Sequence, residues 1–154
     1  MEQPKLEFVF EISVLVTPGK IQEVGETGKG IRRIVPITGG TFEGPGIKGI
    51  VVPGGYDWQL QRSDHVSEIE ARYILQTDDG ALITIVNKGL RHGPEEVMKR
   101  IALGEAVNAD EYYFRSIPVF ETGAVQYNWL MKNIFIATGI RKPDKVLIQV
   151  WKIL

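Results

Sequence analysis

Two carboxylates and a scatter of arginines and aromatics are the side chains of this 154-residue sequence best suited to chemistry. Asp57 and Glu70 are the candidate proton carriers, and Arg33, Trp58, Tyr73, Arg115, Tyr127 and Trp129 the candidate ligand contacts. Arg33 shares strand parity with Ile31, Val35 and Ile37, and Arg115 shares it with Tyr113 and Ile117. An arginine on an apolar strand face has to pair with a carboxylate, extend its head to water or meet an anionic ligand. Glu70 and Arg72 lie two apart on one face, an arrangement that serves a structural ion pair or a catalytic acid with its cationic partner. Asp57 and Trp58 also admit two readings. Either Asp57 bonds its own turn while Trp58 fills the core, or Trp58 offers a ligand-stacking face and Asp57 accepts a proton or binds a hydroxyl.

Other chemistries are disfavoured by what is missing. Without cysteine there is no thiolate nucleophile, no disulfide and no zinc site built on sulfur. The histidines, His65 and His92, have no metal-ligand spacing, so no metal is expected and His65 reads as a solvated loop residue. No serine occupies a G-x-S-x-G elbow, and Gly28-Lys29-Gly30 leads into a strand, where a phosphate-binding loop would open a helix. No dinucleotide fingerprint is present either, so no cofactor is expected.

The elements that must position these residues are mostly strands. Leu6, Phe8, Phe10, Ile12, Val14 and Val16 alternate with polar residues and predict a long half-buried strand. Thr17-Pro18-Gly19 ends it, and a short segment at 20–25 follows. Further strands are expected at 31–37, 47–52, 56–62 and 66–77, with Gly39-Gly40, Gly44 to Gly46 and Gly54-Gly55 read as tight turns. Asp78-Asp79-Gly80 predicts a hairpin turn into a strand at 81–87. Over 94–103 the period changes: Val97 with Ile101 and Met98 with Ala102 recur at helical spacing, Pro94 and Glu95-Glu96 suit a first turn, and Gly104 stops it. Strands are again expected at 112–120, 127–138 and 145–153. The sum is a mostly β, single-domain antiparallel barrel over 1–154, lipocalin-like in appearance, with a short helix across an opening or an edge.

Several motifs in order carry a resemblance. They are R-x-x-P-I-x-G-G at Arg33 to Gly40, Gly44-Pro45, P-G-G-x-D-W at Pro53 to Trp58, A-R-Y at Ala71 to Tyr73, T-D-D-G-A at Thr77 to Ala81 and G-L-R-H-G-P at Gly89 to Pro94. Y-Y-F-R at Tyr112 to Arg115, F-E-T at Phe120 to Thr122, Tyr127 with Trp129-Leu130, and A-T-G-I-R at Ala137 to Arg141 continue it. Together they resemble Uncharacterised Protein Family zero-three-one-one, also filed as domain of unknown function three-two-three-seven. The resemblance implies a small β-barrel and no assigned reaction. Met131 stands where that family usually has asparagine after the Trp-Leu pair.

Charge narrows the partners. With 18 Lys and Arg against 19 Asp and Glu there is no global field to attract nucleic acid or an anionic membrane. The start MEQPKLEF lacks a signal peptide's basic and apolar regions, and no apolar run reaches spanning length, so a cytoplasmic protein is expected. Two functions fit. In one, the barrel binds a small organic molecule carrying an anionic or carbonyl group, with acid/base chemistry such as isomerisation, cyclisation or hydration. In the other, a packed barrel acts through oligomer or partner contacts, using Tyr112-Tyr113-Phe114 and the 146–154 segment as an apolar patch for a homodimer or higher homo-oligomer.

Overall fold

A computed structural model describes residues 1–154. Nine strands dominate it: β1 (Leu6–Val16), β2 (Gln22–Glu26), β3 (Ile31–Gly44), β4 (Ile47–Gln61), β5 (Ser67–Thr77), β6 (Leu82–His92), β7 (Tyr113–Thr122), β8 (Phe135–Arg141) and β9 (Lys145–Ile153). The single α-helix, α1 (Glu95–Ala102), joins β6 to β7. Hydrogen bonding runs in the order β1-β9-β8-β7-β6-β5-β4-β3-β2, and β1 also pairs with β3. That last pairing closes an eight-stranded antiparallel barrel with β2 attached at its side, so the main sheet has no free edge.

The glycine pairs do not make the turns expected of them. Gly39-Gly40 and Gly54-Gly55 lie inside the long continuous strands β3 and β4, where the pairing register shifts between Ile37 and Thr41 and between Val52 and Tyr56. Only the Gly44-Pro45-Gly46 segment turns the chain from β3 to β4. The bulges have a steric purpose: a Cβ on Gly40 would lie 1.9 Å from the Ser13 carbonyl oxygen, and Gly40 has φ +135°. Bulges of this kind bend strands enough to close a small barrel.

The interior is divided along its axis. At one end Phe10, Phe42, Phe120 and Phe135 pack edge to face, with ring centroids 5.6 Å apart for Phe10–Phe42, 5.7 Å for Phe10–Phe120 and 5.3 Å for Phe120–Phe135. Ile12, Leu75, Ile83, Ile85 and Leu130 complete this plug. The strand expected at 127–138 begins late. Residues Val125–Met131 form a 3-10 segment that buries Leu130 against the plug, and β8 starts at Phe135. β1 also departs from strict alternation: a register shift between Phe8 and Phe10 turns Phe8 outward against Trp151, at 5.4 Å, and Val9 inward.

Across the other end lies α1. Pro94 caps it, Glu95 pairs with Lys99 at 3.1 Å, and Val97 and Ile101 are its buried residues. Gly104, at φ +79°, ends it with its N–H bonded to the Ile101 carbonyl at 3.0 Å. No helix is long and apolar enough to cross a membrane.

Candidate functional site

Above the aromatic plug the barrel opens into a cavity of about 770 Å³, within the size range of small-molecule sites. Its walls are Val14, Val35, Ile37, Ile69, Ala71, Phe114 and Ile148, and its rim is built from the β1–β2 and β4–β5 connections, α1 and the β8–β9 turn. Into this apolar sleeve project Arg33, Asp57, Gln59, Tyr73, Asn87, Arg91 and Arg141.

Strand pairing explains their convergence. Asp57 on β4 and Asn87 on β6 both stand opposite Ala71 on β5, so a small side chain separates two polar ones on a single rung. Arg33 on β3 pairs with Gln59, the next inward residue of β4, and Arg91 on β6 pairs with Phe114. The Arg91 guanidinium lies 5.4 Å from the Phe114 ring centre, and Phe114 in turn fills the space left by Gly139, where a Cβ would come within 2.8 Å of its ring. Arg141 donates to the Lys142 and Lys145 carbonyls, and its backbone N–H donates to Tyr112 Oη at 2.7 Å.

Several of these polar groups are buried without protein partners. Asp57 Oδ1, Tyr73 Oη, Asn87 Oδ1 and the Nε of Arg91 make no hydrogen bond within the chain, although Tyr73, Asn87 and Arg91 are only 5%, 4% and 8% exposed. A buried polar atom left unpaired costs about 1–3 kcal/mol. Four of them facing one cavity mark it as the candidate ligand site.

Electrostatics differ sharply among the group. Burial pushes the Asp57 carboxyl up from its ordinary 3.8, against the opposing pull of the Gln59 amide, 2.9 Å from Oδ2, and of the Arg91 and Arg141 guanidiniums. Burial, with a smaller contribution from Asp57, also raises the Tyr73 phenol, which stays a neutral hydrogen-bond donor. Arg91 and Arg141 are held below the usual guanidinium value chiefly by burial, with repulsion from Arg141 and Arg33 adding to it at Arg91 and repulsion from Arg33 at Arg141. Arg33 has an ion-pair partner, its Nε lying 3.1 Å from Glu23 Oε1 on β2, although not in hydrogen-bond geometry.

Of the residues singled out from sequence, the structure brings Asp57, Arg33 and Tyr73 into the cavity and leaves the others outside it. Glu70 faces outward and pairs with Lys88 at 3.1 Å, across the β5–β6 ladder, instead of with Arg72. Trp58 is 46% exposed on the outer face beside Arg32, whose guanidinium is 5.8 Å from the ring. It therefore neither fills the core nor stacks on a cavity ligand, because Asp57 and Trp58 are strand neighbours and point to opposite faces. Arg115 also lies outside, over Tyr113 at 5.5 Å, with its guanidinium donating to the Phe114 carbonyl at 2.9 Å. Tyr127 and Trp129 belong to the closed end, where the Tyr127 hydroxyl donates to Asp79 at 3.1 Å and Trp129 packs 6.3 Å from Phe135.

Sequence reasoning overlooked Gln59, Asn87, Arg91 and Arg141. A signal for them was present. On β4 the polar residues Asp57, Gln59 and Gln61 share one parity while Tyr56, Trp58 and Leu60 share the other, and on β6 the parity of Ile83, Ile85 and Asn87 runs on to Arg91.

Fold and site together define a closed antiparallel β-barrel with a plugged base and a polar-lined cavity under a helix. The chain belongs to the family described as protein of unknown function DUF3237, whose model matches residues 4–153. It is 42% identical to a UPF0311 protein of Rhodopseudomonas palustris over 98% of this chain and 99% of that one. A UPF0311 protein of Clostridium acetobutylicum is 40% identical over 99% of this chain and 96% of its own length. The crystal structure of a conserved protein of unknown function from R. palustris superposes with a TM-score of 0.94 over 100% of both chains, at 40% identity. A hydroalkoxylation enzyme of Penicillium herquei is 26% identical over 97% of this chain and 84% of its own. The crystal structure of an enzyme from the same fungus shares the fold with a TM-score of 0.74 at 22% identity, covering 100% of this chain and 97% of that one.

Proposed function

We propose that this protein is an acid/base enzyme that adds a hydroxyl group across a carbon–carbon double bond of a small organic substrate, with Asp57 as the proton donor. The observation carrying this reading is the Asp57 carboxyl facing the cavity with one oxygen buried and unpartnered, held toward its protonated form by burial. A carboxylic acid kept neutral in this way acts as a general acid. The distant relationship to a hydroalkoxylation enzyme supports the same class of chemistry.

The step balances without an oxidant or reductant. The substrate hydroxyl oxygen forms the new C–O bond, the π electrons of the alkene take the proton from Asp57, and the hydroxyl proton restores the carboxyl directly or through solvent. Arg91 and Arg141 stabilise negative charge on the attacking oxygen or on a conjugated carbonyl, which is the electrostatic role of an oxyanion site. Tyr73 and Asn87 orient the substrate through their unpaired Oη and Oδ1.

A 2′-hydroxychalcone, whose phenol adds to a conjugated alkene to give a flavanone of equal mass, probes this chemistry. Its cyclisation in buffer gives a racemate, so chiral chromatography isolates the enzymatic contribution. An enantiomerically enriched product that disappears in Asp57→Asn supports the reading. Racemic product at the buffer rate, repeated with alcohol and phenol substrates bearing conjugated alkenes, refutes it.

A further inference from the structure

We propose that the cavity takes an organic monoanion, a carboxylate or an acidic phenolate on a flat hydrocarbon frame, with its charged oxygens between Arg91 and Arg141. This deepens the reading of the cavity as a substrate site and rests on it for the identity of the occupant as substrate.

The argument is one of charge left over. Around the cavity Arg33 is paired with Glu23 at 3.1 Å, Lys99 with Glu95 at 3.1 Å, and Asp64 with Arg62. Arg91 and Arg141 have no such carboxylate. Arg91 is anchored by the Phe114 ring and leaves its Nε unpaired, and Arg141 is anchored by backbone carbonyls, which orient it without neutralising it. The one acid facing both is Asp57. Guanidiniums stay charged in proteins, so a buried and a half-buried cation share one carboxyl, Asp57, that burial disfavours as an anion, with Asp144 acting on Arg141 alone.

A purely apolar occupant would leave Arg91 Nε unpaired, and a cation would add to the repulsion. An oxyanion pairs both guanidiniums in the geometry that suits them, because carboxylates and phenolates accept the planar donors of arginine. The apolar sleeve sets the remainder of the molecule. Ile69, Ala71, Phe114 and Ile148 offer hydrocarbon and aromatic surface and no further donors, which favours a flat organic frame over a compact inorganic anion.

Calorimetric titration of the full chain at low ionic strength tests this with benzoate, cinnamate and 2-naphthoate, their three carboxamides, and inorganic phosphate. The expected result is a carboxylate bound at least about tenfold more tightly than its amide, the scale set by a charge-assisted pair. Arg91→Met and Arg141→Met each bring the acid-to-amide ratio down toward one. Equal binding of acids and amides overturns the inference, as does binding of phosphate as tightly as the best carboxylate, or failure of all three carboxylates to bind. The acid-to-amide comparison is made on the unaltered chain and does not depend on any variant folding. Enantioselective cyclisation without an anion preference would sink this inference alone, whereas an anion preference without cyclisation would sink only the acid/base reading.

Discussion

Replacing Arg91 with methionine removes a cation that the fold holds at a cost. In the structure Arg91 is 8% exposed, its Nε has no partner, and no carboxylate forms an ion pair with it. Three quantities set the outcome. The unpaired donor costs about 1–3 kcal/mol, and exchanging a buried charged group for a well-packed apolar one of similar length is neutral or stabilising by about 1–4 kcal/mol. Against these stands the guanidinium–Phe114 contact at 5.4 Å, worth about 0.5–2 kcal/mol. The balance favours Arg91→Met by about 1–2 kcal/mol, which for a domain of this size raises the melting temperature by about 2–8 °C. Differential scanning calorimetry at pH 5 and pH 7 is the assay. The gain is expected to be larger at the lower pH, because Arg91 attracts Asp57 only when that carboxyl is ionised. A melting temperature lowered by more than about 4 °C, or more than about 1 kcal/mol, would refute the reasoning and make Arg91 a structural residue.

Asp57→Asn tests the companion claim. With its pKa raised above 3.8 by burial, Asp57 keeps its proton in the folded chain at pH values where the unfolded chain has lost it. Its stabilising contribution is therefore fully present below pH 3.8 and is lost as pH rises through the folded-state value. Asp57→Asn is accordingly expected to flatten the pH dependence of the urea midpoint and to be more stable than the parent chain at pH 7. Trp58→Ala is expected to cost about 1 kcal/mol or less in chemical denaturation, because the indole lies on the outer face and touches Arg32. A loss near that of a buried aromatic, about 3–5 kcal/mol, would contradict its placement. Gly40→Ala combines a φ of +135° with a Cβ 1.9 Å from the Ser13 carbonyl, and is expected to cost about 3 kcal/mol or more by opening the β1–β3 seam. An unchanged urea midpoint for that variant would argue against closure at this point.

Much of the barrel was legible because alternation and turn chemistry are local signals. The β5–β6 hairpin at Asp78-Asp79-Gly80 and the inward set Ile69, Ala71, Tyr73 and Leu75 follow from a strict period of two and a turn that requires positive φ. So does α1, whose acidic first turn and terminal Gly104 bracket a change of period. Gly39-Gly40 and Gly54-Gly55 were illegible for a different reason. A glycine pair has the same local appearance in a turn and in a bulge, and only the approach of a third strand, β1 at Gly40 and β5 at Gly55, distinguishes them. The 125–131 segment imitates a strand because Val125, Tyr127, Trp129 and Met131 stand at alternate positions, whereas in the structure it fills the gap where β8 pairs with β7 only at Arg115–Thr138 and Ser116–Ala137.

For the site, the difficulty was one of sidedness. Arg33 and Arg115 each share a strand face with apolar residues, yet one faces the cavity and the other solvent, because β7 carries Tyr113, Ile117 and Val119 on its outer face. An apolar outer face reverses the inference normally drawn from parity. Arg91 and Arg141 lie at the last positions of their strands' inward series, beyond the stretches where alternation is strongest. Their meeting is a product of barrel closure, which brings β6 and β8 around a common axis although 50 residues separate Arg91 from Arg141.

The central claim is that Asp57 holds a proton inside the cavity when ordinary aspartates have lost theirs. Carbon-13 NMR titration of aspartate carboxyls, with the Asp57 resonance assigned by its absence in Asp57→Asn, measures this directly. The account predicts a carboxyl that titrates clearly above 3.8 and shifts further upward in Arg91→Met, where an opposing cation has been removed. A resonance that titrates at or below 3.8 would contradict it.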